Sequence, residues 1–448
     1  MYKIAIAGAN SGCGKTTITC ALLKSLQRKK LKLSSFKCGP DYIDPMFHKK
    51  VISLPSYNLD SFFCDDNTIK YLFDKNSKNS NISIIEGVMG FYDGGRGSLF
   101  SLSEIIDAHV IMVINCRGMS DSIGAVMKGF LTYKFPNKII GFIFNRLPKK
   151  LEKQAISLCK ELKTEYFGFF PENDFNFDSR HLGLVTADEI IDLNYKLDGL
   201  ADLCDKYILI DKILKFSESD NLNYKEINLN SPINSYIPTV AISDDNAFCF
   251  NYSDNIALLK EMGCNIKFFS PLNDKFIPQD ADGLILSGGY PELYAEKLSN
   301  NTSMINSIKL AINSKIPTIA ECGGFMYLHD FLEDNKGNIY PMAGIINGKA
   351  YKTDKLNHFG YVTLKPENDS LLFRKSDNIA AHEFHYWEST AKAEDLLISK
   401  QNGTSWKGGI CSKSLYAGFP HLYFYSDLNI ARRFIKSCIK FGERNEKN

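Results

Sequence analysis

The sequence predicts an α/β protein of two domains, the first built on a parallel sheet. Three observations carry this expectation. Short apolar runs alternate with helix-like stretches along most of the chain. A strand, a glycine-rich turn and a helix open it at residues 4–26. The 448 residues also exceed what one hydrophobic core ordinarily organises.

The opening strand, Ile4 to Ala7, runs into Gly8, Ala9, Asn10, Ser11, Gly12, Cys13, Gly14, Lys15, Thr16 and Thr17, and residues 18–26 read as a helix. Successive N–H groups of such a turn and the positive helix end surround a phosphate, with Lys15 reaching outer oxygens and the Thr16 hydroxyl facing Mg²⁺. Gly12 and Gly14 supply the tight backbone, although the strict phosphate-loop spelling places glycine at Ala9 and the nearest is Gly8. Residues 31–37 read as a second strand, ending in Gly39-Pro40-Asp41-Tyr42-Ile43-Asp44. Binding groups of an open parallel sheet sit beyond the carboxyl ends of its strands. Lys37 there could neutralise phosphoryl charge, while Asp41 and Asp44 could hold Mg²⁺ or position a substrate. Gly-Pro-Asp is also an ordinary turn.

The run at 82–85 ends on Glu86, where a phosphate-loop enzyme needs a second group facing Mg²⁺, or where a strand simply ends on a surface carboxylate. Two further apolar strands, 110–115 and 138–145, flank a helix at 122–130, and Asn145 could meet a nucleotide base or cap its loop. A short strand follows at 166–171. Arg180 and His181 face a ligand or are structural. The helical pattern of 200–216 gives way to a polar, asparagine-rich stretch, so the division reads as 1–216, a linker at 217–236, and 237–448.

Net charge is +2 and no basic tract interleaves with aromatics, so nucleic acid is not an expected partner. No apolar segment approaches membrane-spanning length, and no targeting region precedes the first strand. Twelve cysteines form no C-x-x-C pair or dense disulfide frame, which points to the cytoplasm. Cys20, Cys159 and Cys249 read as small core residues.

The second half is again α/β, with strands at 239–242, 266–270 and 283–286 and a helix at 255–262. Gly288 and Gly289 can turn N–H groups toward a developing oxyanion. A strand at 316–321 then delivers Cys322 to a sharp Gly323-Gly324 turn, a nucleophile elbow that lowers a thiol pKa and stabilises an oxyanion together. His421, after a late apolar strand, is the best-placed base, with His382, Glu383 and His385 as rivals. The two-residue gap between His382 and His385 does not fit a zinc protease motif.

Taken in order, these motifs resemble the cobyrinate a,c-diamide synthase family across nearly the whole chain. The resemblance rests on residues 8–17, including the displaced glycine, and on 36–45, 85–94 and 180–183. In the second half it rests on 269–272, 288–292, 321–324 and 382–385. It implies a P-loop NTPase-like (dethiobiotin-synthetase-like) parallel-sheet domain joined to a class I glutamine amidotransferase domain. It further implies a ligase that amidates the a and c acetates of cobyrinic acid or a related tetrapyrrole, using ATP as cosubstrate, Mg²⁺ as cofactor and ammonia from L-glutamine. Cys322, His421, Lys37 and Asp44 are then catalytic, and Gly289 and Gly323 form the oxyanion hole. Gly12, Gly14, Lys15, Thr16, Thr17 and Asn145 bind ATP; Thr16, Asp44 and Glu86 face the metal; Asp41, Tyr42, Arg180 and His181 meet the macrocycle. A homodimer follows by analogy alone.

The family usually has a second histidine two residues after the catalytic one, where this chain has Tyr423. The group orienting His421 is therefore Tyr423, or a Glu or Asp from elsewhere, with a degraded glutaminase that relies on free ammonia as the lesser alternative. Ser287 and Trp387 are further local departures. Nickel-sirohydrochlorin is the alternative substrate, since the same motifs serve both rings. A cobyric-acid-synthase-like enzyme and a nucleotide-switched binding protein with an inert second domain are the competing readings.

Overall fold

The computed structural model describes all residues except 176, 178, 181, 182, 185, 233, 234 and 446–448. The chain divides into two units, Met1–Ile227 and Asn228–Asn448.

In the first unit, β1 (Tyr2–Gly8), β2 (Leu33–Cys38), β3 (Ser56–Leu59), β4 (Ile82–Glu86), β5 (His109–Asn115), β6 (Ile139–Asn145) and β7 (Glu165–Phe170) form one sheet. Its order is β3-β2-β4-β1-β5-β6-β7, and every pair is parallel. Helices α1 (Lys15–Arg28), α2 (Ile43–Ile52), α3 (Asp66–Ser77), α4 (Leu99–Ile106), α5 (Ser122–Thr132) and α6 (Glu152–Glu161) make the crossovers. Burial on both faces explains why β1 and β5 are nearly continuous apolar runs. The edge strand β3, Ser-Tyr-Asn-Leu, has no such run and no sequence signal. The two-residue strands β8 (Ser179–Arg180) and β9 (Gly183–Leu184) pair antiparallel, and α7 (Leu193–Tyr207) and α8 (Ile210–Phe216) follow. His181 lies outside the described residues.

In the second unit the chain runs through β10 (Thr239–Ser243), α9 (Ser253–Glu261), β11 (Asn265–Phe269), β12 (Gly283–Leu286), α10 (Ala295–Asn300), α11 (Thr302–Asn313), β13 (Thr318–Glu321) and α12 (Gly323–Tyr327). It continues through β14 (His329–Glu333), β15 (Ile339–Pro341), β16 (Ile346–Pro366), β17 (Ile379–Ser389), β18 (Leu396–Ser399) and β19 (Ser405–Gly408). Strands β20 (Ile410–Cys411), β21 (Leu415–Gly418) and β22 (His421–Leu422) and helix α13 (Leu428–Asn445) complete it. One sheet has the order β11-β10-β12-β13-β21-β20, parallel except at β20. A second, mainly antiparallel sheet has the order β15-β14-β16-β17-β22, with β18 and β19 attached through β16.

This second sheet is the part of the fold the sequence does not announce. Strand β16 is 21 residues long, and its register against β17 shifts twice between Lys352 and Gly360, which breaks the two-residue alternation. The chain passes between the sheets at Phe419 and Pro420, from β21 in one to β22 in the other. That crossing sets the position of His421.

Both units hold parts of the stretch between helix α8 and strand β10. Ser219 donates to the Met1 carbonyl at 2.9 Å, and the Tyr224 hydroxyl to Asp74 at 2.8 Å. On the other side, Arg432 binds the carbonyls of Asn228 and Leu229, and Tyr236 donates to Asp282 at 2.9 Å. None of the twelve cysteines is joined in a disulfide, and Cys249 is only half-buried, unlike the core cysteines Cys20 and Cys159. Among the described residues no helix is long and apolar enough to cross a membrane.

Candidate active site

In the first unit the chemistry gathers at the carboxyl ends of three adjacent strands. Register pairs Glu86 on β4 with Lys37 on β2 and with Ile6 on β1, just before the phosphate loop. Gly12 and Gly14 have φ of 74° and 102°, the left-handed region open to glycine. A side chain on Gly14 would also collide with the amide of Asn145, which donates to the Cys13 carbonyl at 2.9 Å. Asn145 is therefore a strut of the loop. Lys15 starts α1, and its ammonium folds back to donate to the carbonyls of Asn10 at 3.0 Å and Met89 at 2.6 Å. Burial lowers its pKa.

The Thr16 hydroxyl donates to Glu86 Oε1 at 2.6 Å. Lys37 Nζ reaches the same oxygen at 3.2 Å, the Gly87 carbonyl at 3.1 Å and the carboxylate of Asp44, with Asp41 at 3.7 Å. Sequence reasoning missed the third partner of Glu86, His48 on α2, fully buried with Nε2 2.8 Å from Glu86 Oε2 and Nδ1 3.2 Å from Ser56. Burial works against the charge on Glu86, but Lys37, His48 and Thr16 outweigh it and hold the carboxyl far below its usual range. Burial likewise opposes the Lys37 charge and is outweighed by Asp44, Glu86 and Asp41. Asp44 goes the other way: burial, Asp41 and Glu86 raise its pKa beyond what Lys37 can offset.

This surplus of acid is what a divalent cation relieves. The donors are oxygens, the preference of Mg²⁺, and no group of three His, Cys, Asp or Glu among the described residues is arranged to hold a metal alone. Mg²⁺ ordinarily takes one or two carboxylates and completes its shell with phosphate and water, so Thr16, Glu86 and Asp44 fit it. The Asp41 carboxylate accepts from the N–H groups of Ile43 at 2.8 Å and Asp44 at 3.2 Å, fixing the start of α2 beside half-buried Tyr42. Arg180 is placed only by its backbone in the β8–β9 pair.

In the second unit Cys322 stands between β13 and α12 with φ 47° and ψ −100°, a conformation that a non-glycine residue keeps only under constraint. Its N–H donates to the Gly418 carbonyl at 2.8 Å, and its own carbonyl accepts from Met326 at 2.9 Å. A side chain on Gly324 would strike the Leu286 carbonyl, so the glycine lets the elbow sit against β12. Gly289 N lies 3.0 Å from where a Cβ on Gly323 would stand, so the two expected oxyanion donors flank one turn. Cys322 is 6% exposed and hydrogen-bonds to His421.

The partner of His421 is the residue before the nucleophile. Glu321 Oε2 lies 3.6 Å from His421 Nδ1, while its Oε1 accepts from the Leu422 N–H at 3.1 Å. Burial disfavours a charged His421, but Cys322 and Glu321 outweigh it and raise its pKa to about 10. Tyr423 is buried among aromatics, its ring 5.1 Å from that of Tyr252. The sequence did carry a sign of Glu321: a lone carboxylate closing the apolar strand Thr318-Ile319-Ala320. His382 pairs across the strands with His421, and His382, Glu383 and His385 are all buried behind it. A basic cavity of about 650 Å³, lined by Lys315, Arg432 and Lys436 among others, lies at the opposite end of β13.

A phosphate loop facing a buried carboxylate, and a cysteine elbow with its histidine and carboxylate, define the chain as a carbon–nitrogen ligase that takes its amide nitrogen from glutamine. Residues 4–183 match the CobQ/CobB/MinD/ParA nucleotide binding domain, and residues 239–428 the CobB/CobQ-like glutamine amidotransferase domain. The chain is 34% identical to the cobyrinate a,c-diamide synthase of Caldanaerobacter subterraneus, over 98% of this chain and 99% of that protein. It is 36% identical to that of Listeria innocua (95% and 97%) and 38% identical to that of Fusobacterium nucleatum (95% and 98%). The chain belongs to the cobyrinate a,c-diamide synthase family.

Proposed function

We propose that the protein amidates the a and c acetate carboxylates of cobyrinic acid in two ATP-dependent rounds, with ammonia from glutamine. The observation that supports this best is the presence on one chain of both centres, the Thr16–Glu86–Lys37 cluster and the Cys322–His421–Glu321 elbow. The ring is the one for which its near full-length relatives are named.

In the second unit the Cys322 sulfur attacks the glutamine side-chain amide carbon, and the Gly289 and Gly323 N–H groups hold the oxyanion. His421 gives its proton to the departing ammonia, and the glutamyl thioester is hydrolysed by water. Glu321 keeps the imidazole oriented. In the first unit the ring carboxylate attacks the γ-phosphorus of ATP and ADP leaves; ammonia then attacks the acyl carbon and phosphate departs. Gly12, Gly14, Lys15, Thr16 and Thr17 hold the nucleotide phosphates, Lys37 neutralises phosphoryl and carboxylate charge, and Asp41, Tyr42, Arg180 and His181 are assigned to the macrocycle. Mg²⁺ held by Thr16, Glu86 and Asp44 would neutralise the charge on the transferring group.

The test is to mix the purified protein with cobyrinic acid, Mg-ATP and glutamine and follow product mass. One and then two amide substitutions are expected; none, beside an active control enzyme, overturns the reading. Amidation of nickel-sirohydrochlorin alone reassigns the ring. Cys322→Ala is expected to abolish the glutamine reaction and leave the ammonium-driven one intact.

A further inference from the structure

The cavity at the amino end of β13 has fifteen lining residues, of which eight are Lys or Arg and none is Asp or Glu. Over the whole chain the two signs nearly cancel, 53 basic residues against 51 acidic, so composition does not account for this concentration. Four of the cations form a stripe along α13. Arg432, Lys436, Lys440 and Arg444 stand four residues apart, one above the other on the same helix face. Like charges at that spacing repel and weaken a helix, and a face kept only for solubility mixes the two signs.

Lys315 and Lys413 bring further charge from outside the helix. Lys413 lies in the turn between β20 and β21. Lys315 takes φ 71° just past α11, a position that helices ordinarily give to glycine. Carboxylates reach only two of the eight cations: Arg433 is paired with Asp377, and Arg374 lies 3.7 Å from Asp369. Arg432 is tied to the carbonyls of Asn228 and Leu229. Lys315, Lys413, Lys436, Lys440 and Arg444 have no carboxylate partner among the described residues.

At about 650 Å³ the cavity has the volume of a small-molecule site. Its uncompensated charge calls for an anion that carries several charges. Residues four apart on a helix are separated by a rise of about 6 Å, so Lys436, Lys440 and Arg444 match a linear anion whose charges lie close together. A chain of phosphates has that form, and its oxygens suit both the lysine ammonium and the arginine fork. Pro317, Leu371 and Phe441 add an apolar part to the lining, where the body of a nucleoside fits.

We propose that this cavity binds a small polyphosphate anion, free or carried by a nucleotide, at a site distinct from the phosphate loop. It lies at the opposite end of β13 from Cys322, outside the glutamine chemistry.

Isothermal titration calorimetry on the full-length protein tests this, with sodium triphosphate, ATP and citrate as probes. Physiological salt screens loose surface attraction, and EDTA leaves the phosphate loop without its cation. Lys436→Ala/Lys440→Ala is expected to weaken triphosphate binding by at least about fivefold. Lys150→Ala/Lys153→Ala, which removes two exposed lysines of the first unit, changes net charge equally and should stay within about twofold of wild type. Because the stripe repels itself, the cavity variant without ligand should melt no lower than wild type. Tighter binding of ATP than of triphosphate, lost in the cavity variant, identifies a nucleotide as the ligand; equal or weaker binding of ATP identifies the free phosphate chain. Absence of triphosphate binding, equal losses in the two double variants, or citrate bound as tightly as triphosphate overturns the proposal. So does a lower melting temperature of the ligand-free cavity variant, which would mean that these lysines serve the fold.

Discussion

Glu321 closes β13 and Cys322 follows it directly, so strand alternation carried one residue further would send their side chains to opposite faces. The φ of 47° at Cys322 breaks the alternation, and both meet His421. Glu321→Gln should therefore lower glutamine-dependent turnover by between about tenfold and 10⁴-fold, the range over which orienting partners act, and leave the ammonium reaction intact. The same substitution should shift the alkaline limb of the pH profile downward, because Glu321 helps to raise His421 from its ordinary 6.5 to about 10. The sign for stability follows. A raised histidine contributes fully below about pH 6.5 and loses its contribution as pH rises through about 10, so urea stability should fall across that window, less steeply in the variant. Asp44 has the opposite character, since its pKa is raised by burial and by Asp41 and Glu86. Asp44→Asn nevertheless removes the nearest partner of the buried Lys37 ammonium, so it should lower the melting temperature of the ligand-free protein and impair turnover with either nitrogen source.

At the scale of elements, what the sequence revealed and what it hid have one physical explanation. Lys37 and Glu86 were legible because a parallel sheet sends its working groups to strand ends, and Thr16 because it follows the lysine of the phosphate-loop motif at the start of α1. His48 was not, because a histidine in the middle of a helix has the same local pattern whether it faces solvent or a buried carboxylate. The second sheet of the amidotransferase unit was hidden for another reason: its strands keep a dry face only in pieces, interrupted by the register shifts of β16. Glycines report close packing more directly. Gly323-Gly324 marked an elbow, and the contact of Gly324 with the Leu286 carbonyl is its physical content. Gly324→Ala should cost about 1–3 kcal/mol in urea unfolding by overpacking and depress glutamine hydrolysis, while ammonium-driven amidation stays near wild type.

At the scale of the whole chain, the end of the helical pattern at Phe216 suggested where the first unit stops, yet residues 218–227 still belong to it. Tyr2 bridges to Glu218, Ser219 binds Met1, Tyr224 binds Asp74, and Lys225 donates to Asn67 at 2.7 Å. From Asn228 onward the ties run to α13, Met262 and Asp282. Polar composition alone cannot distinguish such a pinned strap from a free tether, because its hydrogen-bond partners are distant in sequence, 31 residues for Ser231 with Met262 and 158 for Lys225 with Asn67. The distinction decides where the chain can be cut. Each unit has its own buried sheet, so a division between Ile227 and Asn228 should yield two fragments that each unfold cooperatively in urea. A division at Phe216 instead strips the first unit of the Ser219, Tyr224 and Lys225 bonds and uncovers the start of β1. Fragment 1–216 should therefore be less stable than 1–227 by about 2–4 kcal/mol, a few net hydrogen bonds of about 1 kcal/mol each. Equal urea midpoints for the two fragments would mean that the strap adds nothing to the first unit.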